Sequence, residues 1–196
     1  MPSDPTILAF DTSAAHCAAA LLSGGRILGS CAETMTRGQA ERLMPLLAEL
    51  LVGYGIDWND LDALGVGIGP GNFTGIRISV AAARGLAFGL AIPAYGVDGF
   101  AARRHALSTQ GPVAVAAPRD QVYLSRPDTA PVLTSRADAE AENGPLPADP
   151  EPDALARAIA EIAAARWPSE TVAPAPLYLR AADAAPASDP PPVLLD

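Results

Sequence analysis

The sequence predicts an α/β domain built on a mixed sheet, and three observations carry that prediction. Two β-compatible runs, residues 17–23 (CAAALLS) and 26–33 (RILGSCAE), are joined by Gly24-Gly25, which marks a hairpin. A glycine turn, Gly69-Pro70-Gly71-Asn72, links a buried apolar run at 63–68 to a long helical pattern opening near Thr74. From there strand and helix patterns alternate, so the order through residue 108 reads β-β-β-α-β-α-β-α. A meander followed by alternating units implies a mixed sheet with helices packed against it.

In chain order, residues 6–11 (TILAFD) form a strand entering the core and ending on Asp11-Thr12-Ser13. That loop can hold a phosphate or a metal-nucleotide; Asp11 and Ser13 can equally hydrogen-bond the turn backbone, and the second reading ranks first. The hairpin follows. Residues 39–52 (QAERLMPLLAELLV) form the first long helix, with Leu43, Leu47, Leu50 and Leu51 on one face and Met44 and Leu46 widening it. Pro45 either sits in its first turn or kinks it, and Gly53 and Gly55 end it. Residues 57–62 (DWNDLD) give a polar turn, or one helical turn capped by Asp57 or Asn59.

The glycine turn then feeds the helix at 74–90, capped by Asn72 or Thr74. Such a turn before a helix N-terminus is an anion cradle, or simply a tight connection that needs glycine. The helix carries three stripes: Ile76, Val80, Ala83, Ala87 and Leu90; Ile78, Ala82, Gly85 and Gly89; Arg77, Ala81, Arg84 and Phe88. A helix this apolar around its circumference expects burial on more than one side, against its sheet and against another helix of this chain or of a partner. A strand at 92–97 and a helix capped by Asp98 and running to about residue 108 complete this half.

Beyond Gly111 the character changes, because 15 of the 20 prolines lie there. Short strands are predicted at 113–117, 121–125, 132–135 and 177–180. Residues 153–167 (DALARAIAEIAAARW) form an alanine-rich helix with Asp153 as cap and Pro168 as stop. The tail from about Asp183 reads as disordered.

Composition excludes several chemistries. All 13 basic residues are arginine, so a Walker-type phosphate lysine, a Schiff-base lysine and a Ser–Lys dyad are absent together. Only His16 and His105 are present, without paired metal-ligand spacing, so no metal site is expected. A net charge of −9 opposes a direct electrostatic grip on nucleic acid. Cys17 and Cys31 are too few for a disulfide framework and fit reduced, buried thiols in a cytosolic protein. No basic segment precedes an apolar one at the N-terminus, so no signal peptide is expected. The longest apolar run, about 78–97, is broken by Arg84 and Pro93 and makes a poor membrane span.

Four blocks, ILAFDTS, RGQAERLMPLLAELL, GVGIGPGNFTGIRISVAAARGLAFGL and IPAYGVDGF, closely resemble in order and spacing the bacterial TsaB (YeaZ) family over residues 6–100. VAVAAPRDQVYLS and PLYLR resemble its weaker second-half landmarks. The resemblance implies an actin-like (sugar kinase/Hsp70/actin) ATPase fold of two lobes, here 1–108 and a shorter, abridged 109–182. It implies a non-catalytic, cytoplasmic subunit that pairs with a TsaD-type transferase, the subunit that places threonylcarbamoyl on the tRNA adenosine beside the anticodon. A TsaE-type ATPase joins the complex, the chain alone forms a homodimer, and tRNA is touched only indirectly. The chain itself requires no cofactor and no membrane; ATP and Mg belong at a shared interface of the complex. The pairing helices are those at 39–52 and 74–90, which makes Leu43, Leu47, Leu50, Arg77, Val80, Ala81, Ala83, Arg84, Gly85 and Phe88 the candidate seam and core residues. Two departures stand out: Gln39 replaces a histidine of many members, and Val115-Ala116-Ala117-Pro118 stands where Ile-Asp-Ala-Arg is common.

The competing hypothesis is a nucleotide-binding or hydrolysing enzyme of the same fold. Asp11, Thr12, Gly69, Gly71, Asn72 and Thr74 would then hold phosphate and Mg2+. The missing lysine and Ala116 oppose it, and fold alone does not fix function. A peptidase ranks lower still, since no G-x-S-x-G elbow or zinc pair is present.

Overall fold

The computed structural model describes residues 4–169 and 171–179; the expected tail from Asp183, and Arg180, lie outside the described residues. Three strands, β1 (Ile7–Asp11), β2 (His16–Ser23) and β3 (Arg26–Thr34), form the predicted meander. They are followed by α1 (Gln39–Gly53), β4 (Ala63–Gly67), α2 (Phe73–Leu90), β5 (Ala94–Val97) and α3 (Gly99–Ala106). The sheet order is β3-β2-β1-β4-β5, antiparallel across the meander and parallel from β1 to β4 to β5. A bulge between Leu21 and Leu22 shifts the β2–β3 register.

Alternation along these strands splits the interior in two. Leu8, Phe10, Ala19, Leu21, Leu64 and Val66 face α1 and α2. Ile7, Ala9, Ala18, Ala20 and Ala63 face the other way. This second face is mostly alanine, so it needs a helix that approaches closely. That helix is α5 (Pro152–Arg166), whose Leu155, Ala156, Ile159, Ala160 and Ala163 fill it. A Cβ on Gly65 would stand 3.1 Å from the Ile159 side chain. Hence α5, although it follows residue 108 by more than forty positions, completes the core of the five-stranded sheet, across the boundary expected at 108. Tyr95 Oη donates to Ser169 O at 2.8 Å and Arg166 Nη1 to Gly96 O at 2.8 Å, fastening its C-terminal end to β5.

The remaining segment forms an antiparallel sheet of β6 (Val113–Ala116), β7 (Gln121–Ser125) and β8 (Val132–Ser135). One face packs on Phe100, Leu107 and Leu179; the other packs on α4 (Arg136–Asn143) through Val122, Leu124 and Ala139.

Several expectations are corrected. The helix α4 is an addition to the predicted elements, because its eight residues are mostly polar and carry no apolar period. Its cap is nevertheless a sequence signal, since Ser135 Oγ accepts from Asp138 N–H at 3.0 Å. Glu151, not Asp153, occupies the N-cap of α5, with Pro152 pre-set for the first turn. Asp153 instead accepts from Ser30 Oγ at 3.2 Å, tying α5 to β3. Residues 177–179 are not a strand, although Leu177 N–H donates to Ile68 O at 2.8 Å. Pro45 is the seventh residue of α1 and faces solvent, so it is not a first-turn proline. Among the described residues α2 is long and apolar enough to cross a membrane by composition, yet its inner stripe belongs to the sheet core.

Candidate docking face and interlobe cleft

The turn between β4 and α2 sits directly behind the loop that ends β1. Asn72 N–H donates to Ser13 O at 2.7 Å, and Asn72 Oδ1 accepts from Gly75 N–H at 2.8 Å, so Asn72 rather than Thr74 caps α2. Thr12 Oγ1 donates to Gly75 O at 2.7 Å. A Cβ on Gly71 would collide with Ser13 O, and one on Gly75 with Thr12 O. These glycines therefore make room for the chain's own backbone. The tight-connection reading of the turn accounts for them without a phosphate.

Asp11 is buried and equally committed. Its Oδ2 accepts from Ser13 Oγ at 2.9 Å and meets His16 Nε2 at 2.8 Å. Burial pushes its pKa up, but hydrogen bonds from His16 and Ser13 and the charges of His16 and Arg103 outweigh it, holding Asp11 below the usual carboxylate range. The aspartate stands between the serine and the histidine, whereas nucleophilic catalysis places the base between nucleophile and acid. Cys17 lies nearby on β2, its Sγ 3.7 Å from Gln39 O, with burial pushing the thiol up to about 11. It is inert as a nucleophile at neutral pH.

A cavity of about 830 Å3 opens in front of this loop, between the two sheets. Of the six phosphate candidates only Gly71 and Asn72 border it; Asp11, Thr12, Gly69 and Thr74 do not. Sequence reasoning missed Arg103, Asp149 and Tyr178, which do, and assigned Arg77 to the helix seam. Arg103, 6% exposed, gives Nε and Nη2 to the two oxygens of Asp149 at 2.6 and 3.0 Å. Arg77 lies with its guanidinium 3.8 Å above the Phe73 ring and donates Nε to Tyr178 Oη at 2.8 Å. The departures Ala116 and Pro118 border the cavity too, so this wall is apolar. Asp149 comes from a proline-rich stretch with no periodic pattern, which left no signal to find it by; Tyr178 lies in the PLYLR landmark, which marked the stretch but not the contact with Arg77.

The outer side of α1 and α2 is the second candidate. Of the ten residues assigned to it from the sequence, Leu43, Leu47, Leu50, Val80 and Ala83 are buried in the chain's own interior. They are core, because their stripe points at the sheet. Ala81, Arg84, Gly85 and Phe88 are exposed, Phe88 at 91%. Arg77 is exposed as well, but its side chain is held at the cleft. On α1, Val52 is 79% exposed and Met44 40%. Arg42 bridges Glu33 and Glu49 at 2.6 to 2.8 Å beside them. The predicted burial of α2 on two sides is thus met on one side only among the described residues. Gln39, the other departure, opens α1 and turns back on the preceding loop, where its Nε2 donates to Met35 O at 3.3 Å.

Comparison with known proteins places this geometry. The family described as TsaD, tRNA N6-adenosine threonylcarbamoyltransferase, matches residues 27–144. The tRNA threonylcarbamoyladenosine biosynthesis protein TsaB of Haemophilus influenzae is 39% identical over 101 residues, covering 52% of this chain and 42% of that protein. The chain thus matches less than half the length of that relative. A Pseudomonas aeruginosa protein described as similar to the peptidase YeaZ superposes with TM-score 0.72 at 30% identity, over 90% of this chain and 100% of that one. YeaZ from Pseudomonas aeruginosa superposes with TM-score 0.70 at 30% identity, over 89% of this chain and 100% of its own.

Proposed function

The chain belongs to the TsaB (YeaZ) family and has its actin-like fold, and from that premise we propose that it is a non-catalytic subunit of tRNA threonylcarbamoyladenosine biosynthesis. It pairs with a TsaD-type transferase through the outer side of α1 and α2, a TsaE-type ATPase joins the pair, and the chain alone forms a homodimer through the same side. The observation that carries this reading is the exposure of Phe88 and Val52 near the C-terminal ends of two adjacent helices. Large apolar side chains left in water beside small ones (Ala81, Gly85) suit a partner helix that approaches closely.

A non-catalytic role is supported over a peptidase by the order of Ser13, Asp11 and His16, in which the imidazole is turned to the carboxylate. It is supported over a nucleotide hydrolase by the internal use of Asp11, Thr12 and the glycine turn. Any ATP·Mg2+ is then held at a face shared with the partner.

The test is co-purification with a TsaD-type partner. Phe88→Asp and Gly85→Arg each place a charge on the seam, where burying it unpaired weakens pairing by about 2–5 kcal/mol or more. Both positions are open in the isolated chain, so the variants should fold. A folded variant that still pairs as tightly as the parent moves the interface elsewhere.

A further inference from the structure

The cleft borders on two arginines, and they are not equivalent. Arg103 is buried, and its Nε, Nη2 and Nη1 are spent on Asp149 and on Gly99 O. Arg77 is exposed, supported below by Phe73 at 3.8 Å and beside by Tyr178, whose ring centre lies 5.8 Å away and whose hydroxyl takes Nε. Phe73 and Tyr178 stack on each other at 5.0 Å. Among the described residues nothing accepts from Nη1 or Nη2 of Arg77. A guanidinium held by two rings with its outer edge unspent is preorganised for a planar, singly charged acceptor.

Much of the rest of the wall is hydrocarbon, with Ile76, Val115, Ala117, Pro118, Leu177 and Leu179 on it; Ser13, Asn72, Tyr123 and Asp149 are its polar members, and the Asp149 carboxylate is already spent on Arg103. The volume of about 830 Å3 falls within the ~300–1,000 Å3 of small-molecule sites. We propose that this cleft binds a small apolar monoanion, a carboxylate carried on a flat or branched hydrocarbon body, with the carboxylate on Arg77 and the body against the apolar wall. A nucleoside polyphosphate fits worse. One unspent guanidinium does not balance several phosphate charges, and the Asn72 N–H is already committed to Ser13 O.

Calorimetric titration of the full chain with 4-phenylbutyrate, with 4-phenylbutanamide as its neutral isostere and with ATP·Mg2+, tests this. The acid should bind with a sub-millimolar Kd and the amide at least about fivefold more weakly, the loss of one charge-assisted contact. Arg77→Met should weaken the acid by at least about fivefold and leave the amide unchanged, while Ala117→Phe, which fills the cleft, should weaken both. Thermal unfolding shows which variants fold; if Ala117→Phe does not, the Arg77→Met comparison decides alone. Equal binding of acid and amide, an acid indifferent to Arg77→Met, or ATP·Mg2+ binding tighter than the acid each overturns the proposal. So does an acid that fails to bind at about 10 mM, roughly ten times the expected upper limit of its Kd.

Discussion

Asp11 shows what a single buried carboxylate does for this fold. Its folded pKa lies below the unfolded one, so the ionised group stabilises the chain fully above about pH 4. That contribution drains away as pH falls through the lower folded value. Melting temperature should therefore drop on acidification below about pH 4, and Asp11→Asn should flatten that limb while lowering stability at about pH 7. Parallel acid limbs in parent and variant would remove Asp11 from the account. Glycines give a second contrast at this scale. Gly71→Ala drives a Cβ into Ser13 O and should cost about 1–3 kcal/mol. Gly85 has nothing within 4 Å and lies inside α2, so Gly85→Ala should stabilise by about 0.5–1 kcal/mol. Chemical denaturation of the pair reads both signs, and similar effects at the two sites would contradict the packing described.

Among elements, α5 carries the most consequence. Its Ile159 is buried on an alanine-rich sheet face with little slack, so Ile159→Ala should cost about 2–5 kcal/mol in chemical denaturation. A cost under about 0.5 kcal/mol, the range of surface changes, would mean that α5 does not seal that face. The helix itself was legible from its alanine pattern, and so were the meander, α1, α2 and the Asp98 cap, which accepts from Phe100 and Ala101 N–H at 3.0 and 2.9 Å. Each of these is a local signal of period or cap. Where α5 docks was not legible, because periodicity says that a helix has an apolar face and not which sheet receives it. The division of α1 and α2 into core and exposed positions had the same difficulty: Val80 and Phe88 are both apolar, and only the position of the sheet separates a residue 4% exposed from one 91% exposed. The cleft was least legible of all, since Arg77, Asp149 and Tyr178 meet there from three distant stretches.

At the scale of the whole molecule, charge decides what the chain can grip. It carries 22 acidic residues against 13 arginines. Arg42, Arg103, Arg126, Arg136 and Arg157 are each paired with an aspartate or glutamate. Of the other described arginines, Arg104 and Arg166 donate to backbone carbonyls, which leaves Arg26, Arg37, Arg77, Arg84 and Arg119, on four separate segments and still short of the roughly 6–10 phosphate contacts of a strong electrostatic site. The isolated chain should accordingly show no tRNA binding at about 0.15 M salt by gel shift, whereas the proposed pair with a transferase should retain whatever affinity the transferase has. Lowering salt to about 0.05 M should reveal at most a weak interaction with a shallow dependence on salt, because few counterions are released when few phosphates are met. A steep dependence for the isolated chain would mean that its arginines converge on a nucleic-acid surface after all, and the direct tRNA grip would then have to be assigned to this chain.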